Sequence, residues 1–200
     1  MLARLESRFI IVAMLGMLIS STAPAGDPCQ FPDLSDVEPV QMMPGAVEPS
    51  GNGGDIPGGR WELVRLLYSF AIDLQGEAIG AIEMDAVATQ SGVASLALNV
   101  TITSPVAESI EEEGAGPYIA NDNELSFKNE CGEETLLGEV EYDIDQTGDA
   151  PVMTVWGSTS FAVSPLPPTT VLLQAEFELV EPQTVEDPIF DDRFQETENP

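Results

Sequence analysis

The segment VASLALNVTIT, residues 93–103, alternates apolar and polar side chains. One set of alternate positions is entirely apolar (Ala94, Leu96, Leu98, Val100 and Ile102), and most of the positions between them are polar (Ser95, Asn99, Thr101 and Thr103). Successive side chains of a β-strand point to opposite faces of a sheet. The period of two therefore predicts a strand with one face on a core and the other towards solvent.

Two further segments repeat this pattern. In residues 137–145, Val140, Tyr142 and Ile144 alternate with acidic side chains, and in residues 171–180 Leu173, Ala175, Phe177 and Leu179 alternate with polar ones. Weaker strand signals lie at residues 60–70, 77–87, 116–120, 124–129 and 151–163, with Gly-, Pro- and Asp-containing turns between several of them. No long amphipathic helix competes with them. The sequence predicts an all-β domain of about eight short strands.

Short turns between successive strands favour an antiparallel up-and-down meander, either closed as a barrel or folded as a sandwich. We prefer the barrel, because closure removes exposed strand edges. The domain is expected to span residues 60–180. It would follow a linker at residues 26–59, where prolines and glycines disfavour a packed core. A loose acidic tail is expected at residues 181–200.

The first 25 residues have the features of a secretory signal peptide. Arg4 and Arg8 supply positive charge, residues 9–19 are apolar, and Ala23-Pro24-Ala25 offers small residues for cleavage after Ala25. The apolar run is too short to span a bilayer, although a retained anchor is the alternative. We therefore predict a secreted or periplasmic protein that is not attached to a membrane after cleavage.

Export also bears on the two cysteines of the chain, Cys29 and Cys131. An even number of cysteines in an exported protein is typical of disulfides, so we predict that these two form one. A loop of about 100 residues closed in this way contributes up to about 4.7 kcal/mol in the chain-entropy model. Two free thiols are the alternative.

The charge balance is strongly acidic. The chain has 35 acidic and 6 basic residues, a net charge of −29, and loss of Arg4, Glu6 and Arg8 with the signal peptide would make it −30. Such a charge repels nucleic acid and anionic lipid, so we expect neither as a partner. The acids are spread along the chain, which favours a solvated acidic coat over a divalent-cation site.

The composition argues against catalysis. Without histidine the chain cannot form Ser-His-Asp or Cys-His nucleophilic sites, and it lacks the commonest zinc ligand. The one lysine, Lys128, has polar neighbours typical of a solvated side chain. Paired carboxylates of the glycosidase type can be chosen almost at will in so acidic a chain and carry no specificity. We expect no enzymatic activity and no cofactor.

Residues 143–149 begin like a calcium loop, with acids at the first, third and seventh positions. The ninth and twelfth positions, however, are Pro151 and Thr154 instead of ligands. We prefer a hairpin turn in which Gly148 has a positive φ. No metal ligands are predicted.

Residues 53–59 carry the pattern Gly-Gly-x-Ile-Pro-x-Gly directly before the first predicted strand (Gly53, Gly54, Ile56, Pro57 and Gly59). Residues 118–131 carry a tyrosine, a turn, a short Leu-bearing strand and a cysteine (Tyr118, Asn123, Leu125, Phe127 and Cys131). Both stretches resemble a group of small exported bacterial proteins with a lipocalin-like barrel. The resemblance covers residues 53–180 in outline.

Gly59-Arg60-Trp61 also matches the lipocalin first-strand signature, in which the Trp closes the base of the barrel and a late Arg packs on it. The late arginine of this chain is Arg193, in the predicted tail, and the alternative is that Trp61 is an ordinary core aromatic. The resemblance implies a non-catalytic barrel that could bind a small apolar ligand, through residues the sequence does not identify. The alternative is an acidic structural or surface-interaction module with a filled barrel and, at most, weak affinity for divalent cations.

Overall fold

A computed structural model describes residues 29–47, 51–88, 90–105, 107–132, 139–161 and 169–183. The strands in these ranges are β1 Val40–Pro44, β2 Gly59–Ser69, β3 Gln75–Ala88, β4 Ser91–Ser104, β5 Glu108–Asn121, β6 Glu124–Phe127, β7 Cys131–Gly132, β8 Glu139–Asp145, β9 Val152–Phe161 and β10 Thr169–Pro182. Within the same ranges there is no helix that could cross a membrane. The predicted all-β class is confirmed.

The ten strands form one mixed sheet that closes into a ring. From β2 the chain passes through β3, β4, β5, β6, β8, β9 and β10, each antiparallel to the one before, and β10 pairs back with β2. β1 lies between β2 and β3 where these two separate, parallel to β2 and antiparallel to β3. β7 pairs with β5. The structure therefore differs from the expected all-antiparallel set of about eight strands, because β1 and β7 are additional and β1 makes the sheet mixed.

The strand predicted most clearly, β4, alternates largely as expected. Leu96, Val100 and Ile102 are buried on the inward face, and Thr101 is exposed on the outward face. Ser95 and Ala97 also face outward, but both are buried. Part of the outer surface of β4 is therefore shielded from solvent.

The interior of the ring holds the hydrophobic core. Its largest fully buried side chains come from widely separated strands (Trp61, Tyr68, Tyr118, Tyr142, Met153 and Phe177). Trp61 lies on β2 within this core, and its indole Nε1 donates a hydrogen bond to the Pro57 carbonyl at 3.3 Å. Arg193, the late arginine of the chain, lies outside the described residues, as does the predicted signal peptide.

The region predicted to be a linker, residues 26–59, contains regular structure in its described part. It includes β1, and Gly53 forms an isolated parallel bridge with Asp143 on β8. Three of its apolar side chains, Val37, Met42 and Ile56, are buried. Each of these side chains removes apolar surface from water and so helps to hold the segment in place. Three such residues have little effect on a composition averaged over 34 residues. This is why the composition of the segment suggested a linker.

The start of β5 carries three consecutive acids. Glu111-Glu112-Glu113, which the sequence predicts to be a solvated run, lies within the 14-residue β5. The run pairs with residues 97–99 of β4, and Glu111 and Glu113 are exposed on its outward face. Cross-strand pairing and one solvated face therefore accommodate acids that have low intrinsic β-propensity.

Candidate functional site

The ring interior is closely packed near the end at which β2 begins. A cavity there has a volume of about 20 Å³ and is lined by apolar side chains and one tyrosine (Ile82, Met84, Ala94, Leu96, Tyr118, Leu125 and Phe127). This is about the space of one water molecule, whereas ligand pockets usually measure about 300–1,000 Å³. The cavity is too small for the apolar ligand that the resemblance implies.

Residues 51–58 cross this end of the ring from β8 to the end of β10. Gly53 is bridged to Asp143, and the Gly58 carbonyl accepts a hydrogen bond from the backbone N–H of Gln183 at 2.8 Å. Between these two points Ile56 is buried in the core, and the Gly54 carbonyl accepts a hydrogen bond from Tyr142 Oη at 2.8 Å. Backbone hydrogen bonds at both ends and an apolar anchor in the middle hold this closing segment in place.

Two buried tyrosines near the cavity differ in their hydrogen bonding. Tyr118 Oη has no hydrogen-bond partner, whereas Tyr142 Oη donates to Gly54. Burial raises the pKa of Tyr118, and the charge of Asp85 adds to this effect. Burial also raises the pKa of Tyr142. Both phenols are therefore neutral at physiological pH and are not available as general bases.

The larger concavity lies on the outside of the ring. A groove of about 880 Å³ is lined by four neighbouring strands, β6, β8, β9 and β10, mostly through their outward-facing residues (Glu124, Ser126, Glu139, Val140, Glu141, Trp156, Gly157, Ser158 and Leu172). Glu124 lies directly opposite Glu141 in the strand register, and Trp156 is the partner of Glu141 on the next strand. The register thus places two carboxylates and an indole side by side on one outer surface.

The basic side chains of the described residues are bound to acids outside this groove. Arg60 pairs with Glu62 and Glu83, Arg65 with Glu176, and Lys128 with Glu130. Within the groove, Asn123 Nδ2 donates a hydrogen bond to Glu141 Oε2 at 3.2 Å. Like charges directly opposite one another on a sheet repel. In the part of the chain that the structure describes, no basic side chain therefore neutralises the groove glutamates.

Trp156 lies in this groove and is 8 % exposed, and its indole Nε1 has no hydrogen-bond partner. Neither Trp156 nor Glu124 was predicted to be a site residue. Glu139 and Glu141 fall on the polar face predicted for residues 137–145, but their proximity to Glu124 and Trp156 depends on the register of three strands. A single sequence carries no signal for that register.

Cys29 and Cys131, expected to pair, are joined by a disulfide across 102 positions of the chain. Residues 143–149, which begin like a calcium loop, include the turn between the antiparallel strands β8 and β9. In this turn, the hydroxyl and N–H of Thr147 donate to Asp145 Oδ1 and lower the pKa of Asp145. The prediction of a positive φ at Gly148 was wrong.

The described residues contain no group of three or more His, Cys, Asp or Glu side chains placed to hold a metal ion. No protein-family model, curated protein or solved structure matches this chain. The resemblance to lipocalin-like proteins therefore stays a prediction. Any functional assignment depends on the chemistry of the described surface and interior.

Proposed function

We propose that this protein is an exported, non-catalytic, acidic surface-interaction module, built on a lipocalin-like barrel that its own side chains fill. The observation that carries this proposal is the contrast between two volumes. A cavity inside the ring, at the end where β2 begins, measures about 20 Å³, whereas the groove outside the ring measures about 880 Å³. Space for a partner lies on the outer, acidic surface, so this proposal departs from the apolar-ligand function that the resemblance implies.

The strand pairings support the barrel. The eight strands that follow one another around the ring form a meander, and the pairing of β10 with β2 leaves this meander without a free end. In the proposed barrel β1 and β7 are accessory strands. The disulfide between Cys29 and Cys131 supports export, since such bonds persist in oxidising compartments.

The charge of the molecule supports a cationic partner. The described arginines and the lysine are already paired with acids, so the groove glutamates contribute to a negative field that is not neutralised locally. A field of one sign accelerates association with an oppositely charged partner and makes that association sensitive to salt. A basic segment of a protein is the partner class that fits this surface.

Binding of two probes to the full-length mature protein tests the proposal. A fluorescent octalysine peptide should bind at low ionic strength and be released as the salt concentration rises, as measured by fluorescence anisotropy. A fluorescent fatty acid should show no saturable uptake at micromolar concentrations. Stoichiometric uptake of the fatty acid without binding of the peptide would overturn the proposal in favour of the apolar-ligand barrel.

A matched pair of variants tests whether the groove contributes most of the binding. The groove variant carries Glu124→Gln, Glu139→Gln and Glu141→Gln, and the control carries Glu77→Gln, Glu111→Gln and Glu181→Gln, three exposed acids outside the groove. Both variants lose three negative charges. The groove variant should bind octalysine at least about threefold more weakly, since each of the three exposed ion pairs contributes about 0.2–1 kcal/mol. An equal loss of affinity for the peptide in both variants would mean that the peptide responds to the overall charge of the protein and not to the groove.

A further inference from the structure

A row of residues in register crosses the outer face of five strands. Cys131 on β7 lies opposite Ala115 on β5, Ala115 opposite Ser95 on β4, Ser95 opposite Glu83 on β3, and Glu83 opposite Arg60 on β2. The chain that precedes β1 is fixed at both ends of this row. Cys29 is bonded to Cys131, and the Asp33 carbonyl accepts a hydrogen bond from Arg60 Nη2 at 2.6 Å.

The spacing agrees with a chain lying along this row. Four gaps between neighbouring strands span about 19 Å, and the four steps from Cys29 to Asp33 reach about 13–14 Å when extended. The disulfide at one end and the long Arg60 side chain at the other account for the remainder. We refer to residues 30–39, between the disulfide and β1, as the strap.

Burial on the outer face beside this row agrees with cover by the strap. Ala81, Ala97 and Ala115 are 0 %, 3 % and 1 % exposed, although all three point away from the ring interior. On the same outer face, beyond the row, Val93 and Ile119 are 47 % and 62 % exposed. The covered residues are small, so the strap can lie close to the backbone of the sheet.

Besides the disulfide and the hydrogen bond from Arg60 to Asp33, the strap is held by burial of two of its side chains. Pro32 and Val37 are buried, and a local turn is closed by the N–H of Val37 donating to the Leu34 carbonyl. The hydrophobic core inside the ring takes no residue from the strap; its members from the N-terminal region are Met42 and Ile56. The packing of the ring interior is thus separate from the packing of the strap.

We propose that the strap is a redox-released cover, which leaves the outer face of β3, β4 and β5 when the Cys29–Cys131 disulfide is reduced, while the ring stays folded. Release uncovers the face formed by Ala81, Ser95, Ala97 and Ala115. Reoxidation returns the strap to this face. The proposal does not depend on the function assigned to the acidic groove.

The chemical step is a thiol–disulfide exchange with a dithiol reductant. A thiolate of the reductant attacks Sγ of Cys29, which is the more exposed partner, and Cys131 leaves as a thiolate. The second thiol of the reductant then displaces Cys29, and the reductant becomes a disulfide. Cys29 and Cys131 each take up a proton, so two electrons and two protons pass to the protein.

Hydroxyl-radical footprinting with mass spectrometry tests this proposal. The samples are the oxidised protein, the protein reduced with dithiothreitol and alkylated, the double variant Cys29→Ser/Cys131→Ser, and reduced protein that has been reoxidised. Modification of Val37 reports on the strap, and modification of Leu96 reports on the core. We expect Val37 to be modified at least about threefold faster in the reduced and double-variant proteins, with Leu96 unchanged and Val37 protected again after reoxidation.

Three results would overturn the proposal. Unchanged protection of Val37 would show that the strap holds without the disulfide, and a parallel increase at Leu96 would show that the disulfide maintains the whole fold. The third concerns Arg60→Gln with the disulfide intact. If this variant alone exposes Val37 to the same degree, the arginine contact and not the redox state controls the strap.

Discussion

Replacing Leu96 by alanine tests whether the ring interior is a packed core or a ligand cavity. Leu96 is 2 % exposed and lines the 20 Å³ cavity inside the ring. Buried Leu→Ala changes cost about 2.7–5.0 kcal/mol, and the cost grows by about 24 cal/mol per Å³ of cavity that remains. The neighbouring side chains already leave a small void unfilled, so we do not expect them to collapse into the new space. The expected loss in the free energy of unfolding is therefore about 3–4 kcal/mol.

Urea denaturation followed by the fluorescence of Trp61 and Trp156 measures this loss, with an unchanged m-value as the sign that the two states are comparable. Val93→Ala is the control, because Val93 lies on the same strand but points outward and is 47 % exposed; it should change stability by no more than about 0.5 kcal/mol. The enlarged apolar cavity should also bind benzene, as dry engineered cavities do. A loss below about 1 kcal/mol for Leu96→Ala, together with uptake of an apolar probe by the parent protein, would refute the packed core.

Three further predictions follow from the buried tyrosines and from the charge. Tyr118→Phe removes a buried hydroxyl that has no hydrogen-bond partner, so it should leave the free energy of unfolding unchanged or raise it. Tyr142→Phe leaves the Gly54 carbonyl unpaired and should lower the free energy of unfolding by about 1–2 kcal/mol. Urea denaturation compares the two variants. Burial raises the pKa of Tyr68, Tyr118 and Tyr142, so the folded state is favoured while these phenols are protonated. Stability monitored by circular dichroism should therefore fall as the pH rises above about 10, the ordinary pKa of tyrosine. The melting temperature should rise between about 0.01 M and 1 M sodium chloride, as the Debye length falls from about 30 Å to about 3 Å; an unchanged value, or the full gain from millimolar calcium alone, would contradict screening of self-repulsion.

The period of two predicted those strands that have one face in the core and one in solvent. Residues 93–103, 137–145 and 171–180 overlap β4, β8 and β10, because burial of alternate side chains leaves a direct trace in the sequence. β1 carries no such trace, since Met42 is its one buried side chain. β7 has two residues, too few for any period. Alternation of apolar and polar residues reflects burial, so it does not detect strands that are held mainly by pairing with neighbouring strands.

The groove was less predictable than the strands that form it. The polar face of residues 137–145 already identified Glu139 and Glu141 as outward-facing acids. Their neighbours across the sheet, Glu124 and Trp156, are fixed by the register of β6 and β9, and register is a property of pairing between segments far apart in the chain. Periodicity assigns a residue to a face but does not give its cross-strand neighbour.

The face that the strap crosses could not be predicted either, because its residues are brought together by strand register. Ala81, Ala97 and Ala115 occupy outward positions that the simple alternation would give to polar side chains. Each alanine is unremarkable alone, but the register gathers them with Ser95 into one area between the acids Glu83 and Glu113. A charged side chain in this area would have to lose its hydration beneath the strap, at a cost that one hydrogen bond from Arg60 could not offset. Small residues at these positions are therefore required by the covered state, and their exposure on release of the strap would cost little, because alanine presents little apolar surface to water.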